Sequence, residues 1–343
     1  MKRVAALVLF VCAFLAFGCG GKHEEPSARE GADGHPKVRL VMATTGTDAG
    51  TDTVVARRFA ELVRDGTGGA VTIEVYTKDQ LAGGNTTKGV EMLANGSVDF
   101  AAYTSSNLSM LDPRLAVATL PWAFEDMAAA RQTISATGGA YYEKRLAQQG
   151  LLYLGFAHNG MRQISSTVWR VRTPEDLKFL KIRVPGNKEL LHFYTALGAV
   201  PMPMSWSELP DALRQGVVDG YETGFAQSVT AGLDRMTKYA TVLNYAYEPY
   251  LFIANRKTFD HLDEGTKRLL REKAAEACAW GCDLMEKNEA EARQRFVKSG
   301  VLVTELSSEE RDAFRRETQP VVEQLKSRYG EEACRAFGIP WAK

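Results

Sequence analysis

Val38-Arg-Leu-Val-Met-Ala43 and Val71-Thr-Ile-Glu-Val-Tyr76 bracket the stretch whose reading decides the fold. The first is a run of β-formers; the second alternates apolar and polar residues, as a strand with one buried face does. Between them, Thr51 to Asp65 places Val54, Val55, Phe59, Leu62 and Val63 at helical spacing, and Gly66-Thr-Gly-Gly69 stops the helix. A further helix near Thr86 to Ala94 ends at Gly96. This alternation predicts α/β units around a largely parallel sheet. The pattern recurs downstream: Leu93-Ala-Asn-Gly-Ser-Val-Asp99 and Leu213-Arg-Gln-Gly-Val-Val-Asp219 share Leu-x-x-Gly-x-Val-Asp. Each reads as a helix closed by a left-handed glycine before a short strand. Helix-to-strand junctions often look so, yet two similar lobes would leave this echo. Ligands of open α/β sheets sit beyond the carboxyl ends of strands, here Thr104-Ser-Ser106 and Glu222-Thr-Gly224.

Between the echoes, Thr173-Pro-Glu-Asp176 is a helix start with a threonine cap, and it leads into Leu177-Lys-Phe-Leu-Lys-Ile-Arg-Val-Pro185. Glu189 to Leu197 forms a helix closed by Gly198, followed by extended Val200-Pro-Met-Pro-Met204. For the next helix Ser207 is the expected cap rather than Ser205, because that puts Pro210 in the first turn. Asp263 to about Ser299 is amphipathic and free of proline, so it reads as one long helix bent near Gly281, or two in series, crossing both lobes.

The 343 residues carry 42 lysine plus arginine against 42 aspartate plus glutamate, which excludes a nucleic-acid footprint and confines charge recognition to a pocket. Met1-Lys2-Arg3 and the apolar run from Val4 to Gly18 form a signal peptide over residues 1–18, too short to span a bilayer comfortably. Gly18-Cys19 resembles a lipoprotein cleavage site, although Ala16 stands where leucine is usual. Lipidation of Cys19 with a flexible tether over 19–36 is expected, and ordinary cleavage is the alternative. Cys278 and Cys282 lie one helical turn apart, too far for a mutual disulfide, so either Cys334 bridges to one of them or all three thiols are free. No histidine pair completes a metal site, and no catalytic, phosphate-loop or dinucleotide motif occurs. The expected cofactor and metal content is none.

Arg183 is the leading candidate: a guanidinium on a rigid strand, with Ile182 and Val184 turned to the core, suits capture of a carboxylate from a ligand or from the protein. Arg162 follows Asn159-Gly160 near another strand end. It either pairs with Glu222 or Asp219 or contacts ligand. Trp206 either stacks on a ligand or staples a helix. Glu222, beside Tyr221 and Thr223, either accepts ligand hydrogens or neutralises an arginine.

Thr173 to Pro185, Leu197-Gly-Ala-Val-Pro-Met-Pro-Met204 and Leu213-x-x-Gly-Val-Val-Asp-Gly220 together resemble the DctP family, the solute-binding proteins of TRAP (tripartite ATP-independent periplasmic) transporters. Phe59-Ala-Glu-Leu-Val63, Gln80-Leu81, Gly96-Ser-Val-Asp99 and Leu120-Pro121 extend the likeness over most of residues 38–300. The resemblance implies a two-lobed periplasmic-binding-protein-like fold, each lobe a mixed sheet flanked by helices, lobe I being 37–159 plus about 248–285 and lobe II 160–247 plus about 286–343. It implies an extracytoplasmic, non-enzymatic protein that closes on a small organic acid and passes it to TRAP membrane subunits, touching the membrane only through its N-terminal anchor. In such proteins Arg183 would bind the carboxylate, Arg162 would be a second anchor, and Trp206 would pack on the ligand. Thr104, Ser105, Ala43, Asn159, Tyr221, Glu222 and Thr223 complete the expected site. Tyr221-Glu-Thr-Gly224 departs from the usual Gln-Glu-Asn-Pro; the added room favours a bulkier aromatic or branched monocarboxylate over a C4-dicarboxylate. A ligand-sensing input domain, an exported enzyme and an ABC-type binding protein are the alternatives.

Overall fold

The computed structural model describes residues 34–341, so the signal peptide, Cys19 and nearly all of the expected tether lie outside the described residues. His35, at the tether's end, already bonds the long helix through Thr266 Oγ1 (2.9 Å). Two sheets follow. The first has the order β2-β1-β3-β10-β4, from Val71–Tyr76, Val38–Thr44, Phe100–Thr104, Tyr247–Asn255 and Leu151–Met161. Here β1 to β3 are mutually parallel, and β10 runs antiparallel to both neighbours. The second has the order β11-β9-β5-β8-β6-β7, from Leu302–Glu305, Tyr239–Val242, Gln163–Ser166, Gly220–Thr223, Lys181–Val184 and Val200–Pro203. The expected α/β lobes are therefore mixed sheets. Gly96 (φ +85°) and Gly216 (φ +68°) close the echoed helices in the left-handed conformation that a Cβ disfavours.

The chain crosses from the first sheet to the second at Arg162, the one residue between β4 and β5. It returns through Leu243–Ala246, and the Arg162 N–H donates to the Ala246 carbonyl (2.8 Å), lacing the two crossings together. A third link is the helix Glu264–Lys298, 35 residues without a break. Its Leu270, Ala274, Ala277 and Cys278 bury in the first sheet's core, and its Met285, Ala292 and Phe296 pack with Ala240 and Val242 of the second. Gly281 serves close approach here: a Cβ would stand 2.4 Å from Val55 Cγ2. The tail helix Ser308–Tyr329 also spans both cores, through Phe314 to the second and Val322, Leu325 and Tyr329 to the first. Its distal half thus rests against the lobe opposite the one expected for it.

One expectation is corrected locally, and one open alternative is decided. Ser205, not Ser207, caps the helical segment after β7: its N–H donates to Glu208 Oε2 (2.7 Å) in a capping box, a 3-10 turn absorbs Trp206–Glu208, and Pro210 still falls in the first turn of Leu209–Arg214. Cys278, Cys282 and Cys334, the cysteines among the described residues, are free and buried, and Cys334 packs in a different apolar cluster from Cys278.

Candidate ligand-binding site

The carboxyl ends of β3, β6, β7 and β8 converge on a cavity of about 280 Å³ between the sheets. Arg183, Arg162, Trp206, Thr223, Thr104 and Asn159 all line it. Ile182 and Val184 do turn to the core, leaving Arg183 on the opposite face of β6, buried at 5% exposure. Its Nε and Nη2 donate to the Met204 carbonyl (3.1 and 2.9 Å), and its guanidinium carbon lies 5.4 Å from the Trp206 ring centroid. One edge of the fork is thus occupied, and Nη1 has no hydrogen-bond partner among the described residues. Among the described residues, no carboxylate neutralises this cation at ion-pair distance. Burial pulls its pKa down to about 10, partly offset by the charge of Glu222.

Arg162 makes the expected pairing with Glu222 while also lining the cavity. Its Nη1 donates to Glu222 Oε2 and its Nη2 to Glu248 Oε2, with Ser106 Oγ at 3.2 Å. Burial works against the charge, but the two carboxylates outweigh it and hold the pKa well above the ordinary arginine value. Asp219, the other expected partner, instead accepts the Lys181 N–H (3.0 Å). Glu222 stands behind the cavity on β8, accepting the Tyr245 hydroxyl (3.0 Å); burial raises its pKa despite Arg162 and Arg183, and its Oε1 has no partner. Ser105 belongs to the same second layer, donating to Glu248 Oε1 (2.7 Å).

Besides Glu222 and Ser105, two further expected residues are not in the wall. Ala43 is buried on β1, paired with Tyr76 and Ala101, and its methyl joins the first core. Tyr221 shares the face of Thr223 but sits two residues deeper, where Leu209, Leu213 and Leu233 cover it and its hydroxyl meets Thr237 (2.8 Å). Conversely, the sequence reading missed Glu248, a lone acid in the otherwise apolar Tyr247–Asn255; the logic that singled out Arg183 applies to it equally. It also missed a polar wall of Thr45, Asn85, Thr86, Thr87, Asn107, Gln227 and Tyr250, scattered over helix starts, short helices and β10 with no shared motif. Asn159 Oδ1, buried in this wall, accepts no hydrogen bond. Across the cavity mouth, Ser207 Oγ donates to the Gly84 carbonyl and Thr47 Oγ1 to the Thr230 carbonyl, each at 3.3 Å.

A cation with no ion-pair partner among the described residues, facing a wall of hydroxyls and amides, suits a small hydroxylated anion. No cluster of three or more potential metal ligands occurs among the described residues.

Known proteins share this fold. The C4-dicarboxylate-binding periplasmic protein DctP of Rhodobacter capsulatus is 31% identical over 82% of this chain and 84% of its own length. A TRAP periplasmic solute-binding protein from Ralstonia eutropha H16, solved with (S)-2-acetolactate, superposes with a TM-score of 0.85 at 27% identity, covering 88% of this chain and 98% of that one. The sugar acid binding protein DctPAm of Advenella mimigardefordensis, solved with galactonate, gives 0.83 at 26%, covering 88% and 96%. Residues 42–328 match the family described as DctP, bacterial extracellular solute-binding protein, family 7, and the chain belongs to that family.

Proposed function

We propose that the protein captures a small, hydroxylated organic acid outside the cytoplasm and delivers it to TRAP membrane subunits without transforming it. The observation that carries this reading is Arg183: a buried cation with one open N–H edge, no protein carboxylate, and a cavity in front of it. A ligand carboxylate on Nη1 and Nη2 would supply the missing anion. The polar wall and the orphan acceptor Asn159 Oδ1 favour hydroxyl donors on the remainder of the ligand, which moves the preference away from an aromatic or branched acid. The relatives support the class, since their bound or named ligands include galactonate, (S)-2-acetolactate and C4-dicarboxylates.

In this reading the lobes, with the boundaries given above save for the tail's far end, rotate about the crossings at Arg162 and Leu243–Ala246. The acid touches both lobes only when they are shut, so binding shifts the population toward closure. Export on residues 1–18 and anchoring through Cys19 belong to the same proposal, and the mass of the processed N-terminus tests them.

The decisive experiment is a thermal-shift screen, confirmed by calorimetry, against aldonates, hexuronates, C4-dicarboxylates and aromatic monocarboxylates. A hydroxylated monocarboxylate should give the largest shift, with 100 times its dissociation constant adding roughly 2.7 kcal/mol. Stronger binding of the aromatic acids would overturn the ligand class. Tight binding of any acid that persists without the Arg183 guanidinium would overturn the mechanism.

A further inference from the structure

The end of the second sheet remote from the ligand is unlike the rest of the surface. Main-chain hydrogen bonds run along it strand by strand: Phe179 N–H to the Gly198 carbonyl (2.9 Å), Val200 to Leu180 (2.9 Å), Asp219 to Lys181 (2.8 Å), Thr167 to Asp219 (2.8 Å), Lys238 to Ser166 (3.0 Å) and Leu302 to Lys238 (2.9 Å). These bonds set the residues at the six strand ends side by side, across five inter-strand gaps or roughly 24 Å. Of the nine large apolar side chains exposed to solvent among the described residues, six project here: Val168, Trp169, Phe179, Val200, Val217 and Leu302. Phe179 is 81% exposed and holds φ +66°, a left-handed conformation that costs a non-glycine residue free energy and that burial of its ring does not repay. Trp169 lies at 43% exposure, its Nε1 pinned to the Asp176 carbonyl (2.7 Å).

Exposed Arg170, Lys178, Lys181, Lys238 and Lys298 surround these tips, and none forms an ion pair among the described residues. Asp176 and Asp219 are engaged by main-chain N–H groups, leaving Glu175 as the exposed acid of the patch. A chain with equal numbers of acids and bases thus concentrates unpaired cations and aromatic tips on one face. Separate aromatic and aliphatic tips ringed by Lys and Arg match the interface of a bilayer bearing anionic headgroups.

We propose that this face docks on an anionic phospholipid surface, a membrane contact separate from any N-terminal anchor and remote from the ligand cavity. The test uses the full chain with vesicles of phosphatidylglycerol or of phosphatidylcholine carrying brominated acyl chains. Because the N-terminus can hold the chain to either vesicle, the readout is the Trp169 share of the fluorescence, taken as the difference between wild type and Trp169→Phe. That share should be quenched on phosphatidylglycerol and not on phosphatidylcholine. Each cation near the surface contributes roughly a five-fold change in partitioning, so Lys178→Glu with Lys181→Glu should weaken the quenching at least ten-fold, as should high salt. Ligand affinity should be unchanged in these variants. Unquenched Trp169 on phosphatidylglycerol overturns the proposal. So does quenching equal on both lipids, or a concentration-dependent mass abolished by Phe179→Ser, which would make the face a contact between copies of this chain.

Discussion

Replacing Arg183 with methionine separates binding from stability, because affinity should fall while stability stays nearly unchanged. In the ligand-free protein the guanidinium is buried without a counter-ion, and a pKa pulled down to about 10 corresponds to roughly 3 kcal/mol of disfavoured charge. Methionine removes that term while filling similar space. It also removes two hydrogen bonds to the Met204 carbonyl, about 1 kcal/mol each, and the stacking on Trp206, on the order of 0.5–1 kcal/mol. The contributions nearly cancel. At about 2.1 cal/mol/K per residue over ~300 residues, 1 kcal/mol moves Tm by roughly 1.5 °C, so the unliganded Tm should stay within about 2 °C of wild type. Affinity should fall by ~2–5 kcal/mol, on the order of 30- to 4,000-fold, as the ligand carboxylate loses its partner. Calorimetric titration and a melting curve on the same preparation read both quantities. A Tm lowered by 5 °C or more, with affinity retained, would make Arg183 a structural arginine and refute the site.

Three further outcomes test other parts of the site and its scaffold. Glu248→Gln breaks a buried pair with Arg162 that Ser105 and Ser106 also support, so it should cost ~3–5 kcal/mol and roughly 5–8 °C in Tm; a change below 2 °C would show the network to be dispensable. Asp52, which accepts the Gly46 N–H (2.7 Å) and the Thr45 hydroxyl (3.1 Å), is raised to about 6 by burial. A raised acid stabilises the fold below pH ~4 and loses that contribution as pH climbs through 6. Asp52→Asn should therefore match wild type near pH 4 and melt higher at pH 7, by an increment equivalent to ~1–3 kcal/mol; a lower Tm at pH 7 would contradict the assignment. Gly281→Ala should cost about 1–3 kcal/mol by driving a methyl into Val55, measured by urea unfolding, and a neutral result would place a bend at that position instead.

Periodicity and punctuation made the scaffold legible. Val71–Tyr76 alternates, Gly96 and Gly216 end their helices in the left-handed conformation, and Glu264–Lys298 carries no proline, so strands, lobes and spine follow from local chemistry. The same local logic located Arg183, because a charge in an apolar strand needs a reason. Failures came where the decisive information is not local. Ala43 and Tyr221 lie on the right strands, but depth along a strand is set by what packs over it. The polar wall from Asn85–Thr87, Asn107 and Gln227 is assembled by tertiary folding from three helices far apart in sequence. At Ser205 and Ser207 two serines compete for one cap, and the reciprocal bond from Glu208 decides between them.

Arg162 occupies the chain's crossing point, and its two carboxylates come from opposite sheets, Glu222 from β8 and Glu248 from β10. Any pivoting of one half against the other then turns about a tethered point, and displacement grows with distance from that axis. Asn159 and Thr223, close to it in sequence or register, stay nearly still, while the lip where Ser207 reaches Gly84 sweeps the widest arc. Tolerance for longer or shorter cargo should accordingly be written in the rim around residues 84 and 207, with the floor held constant.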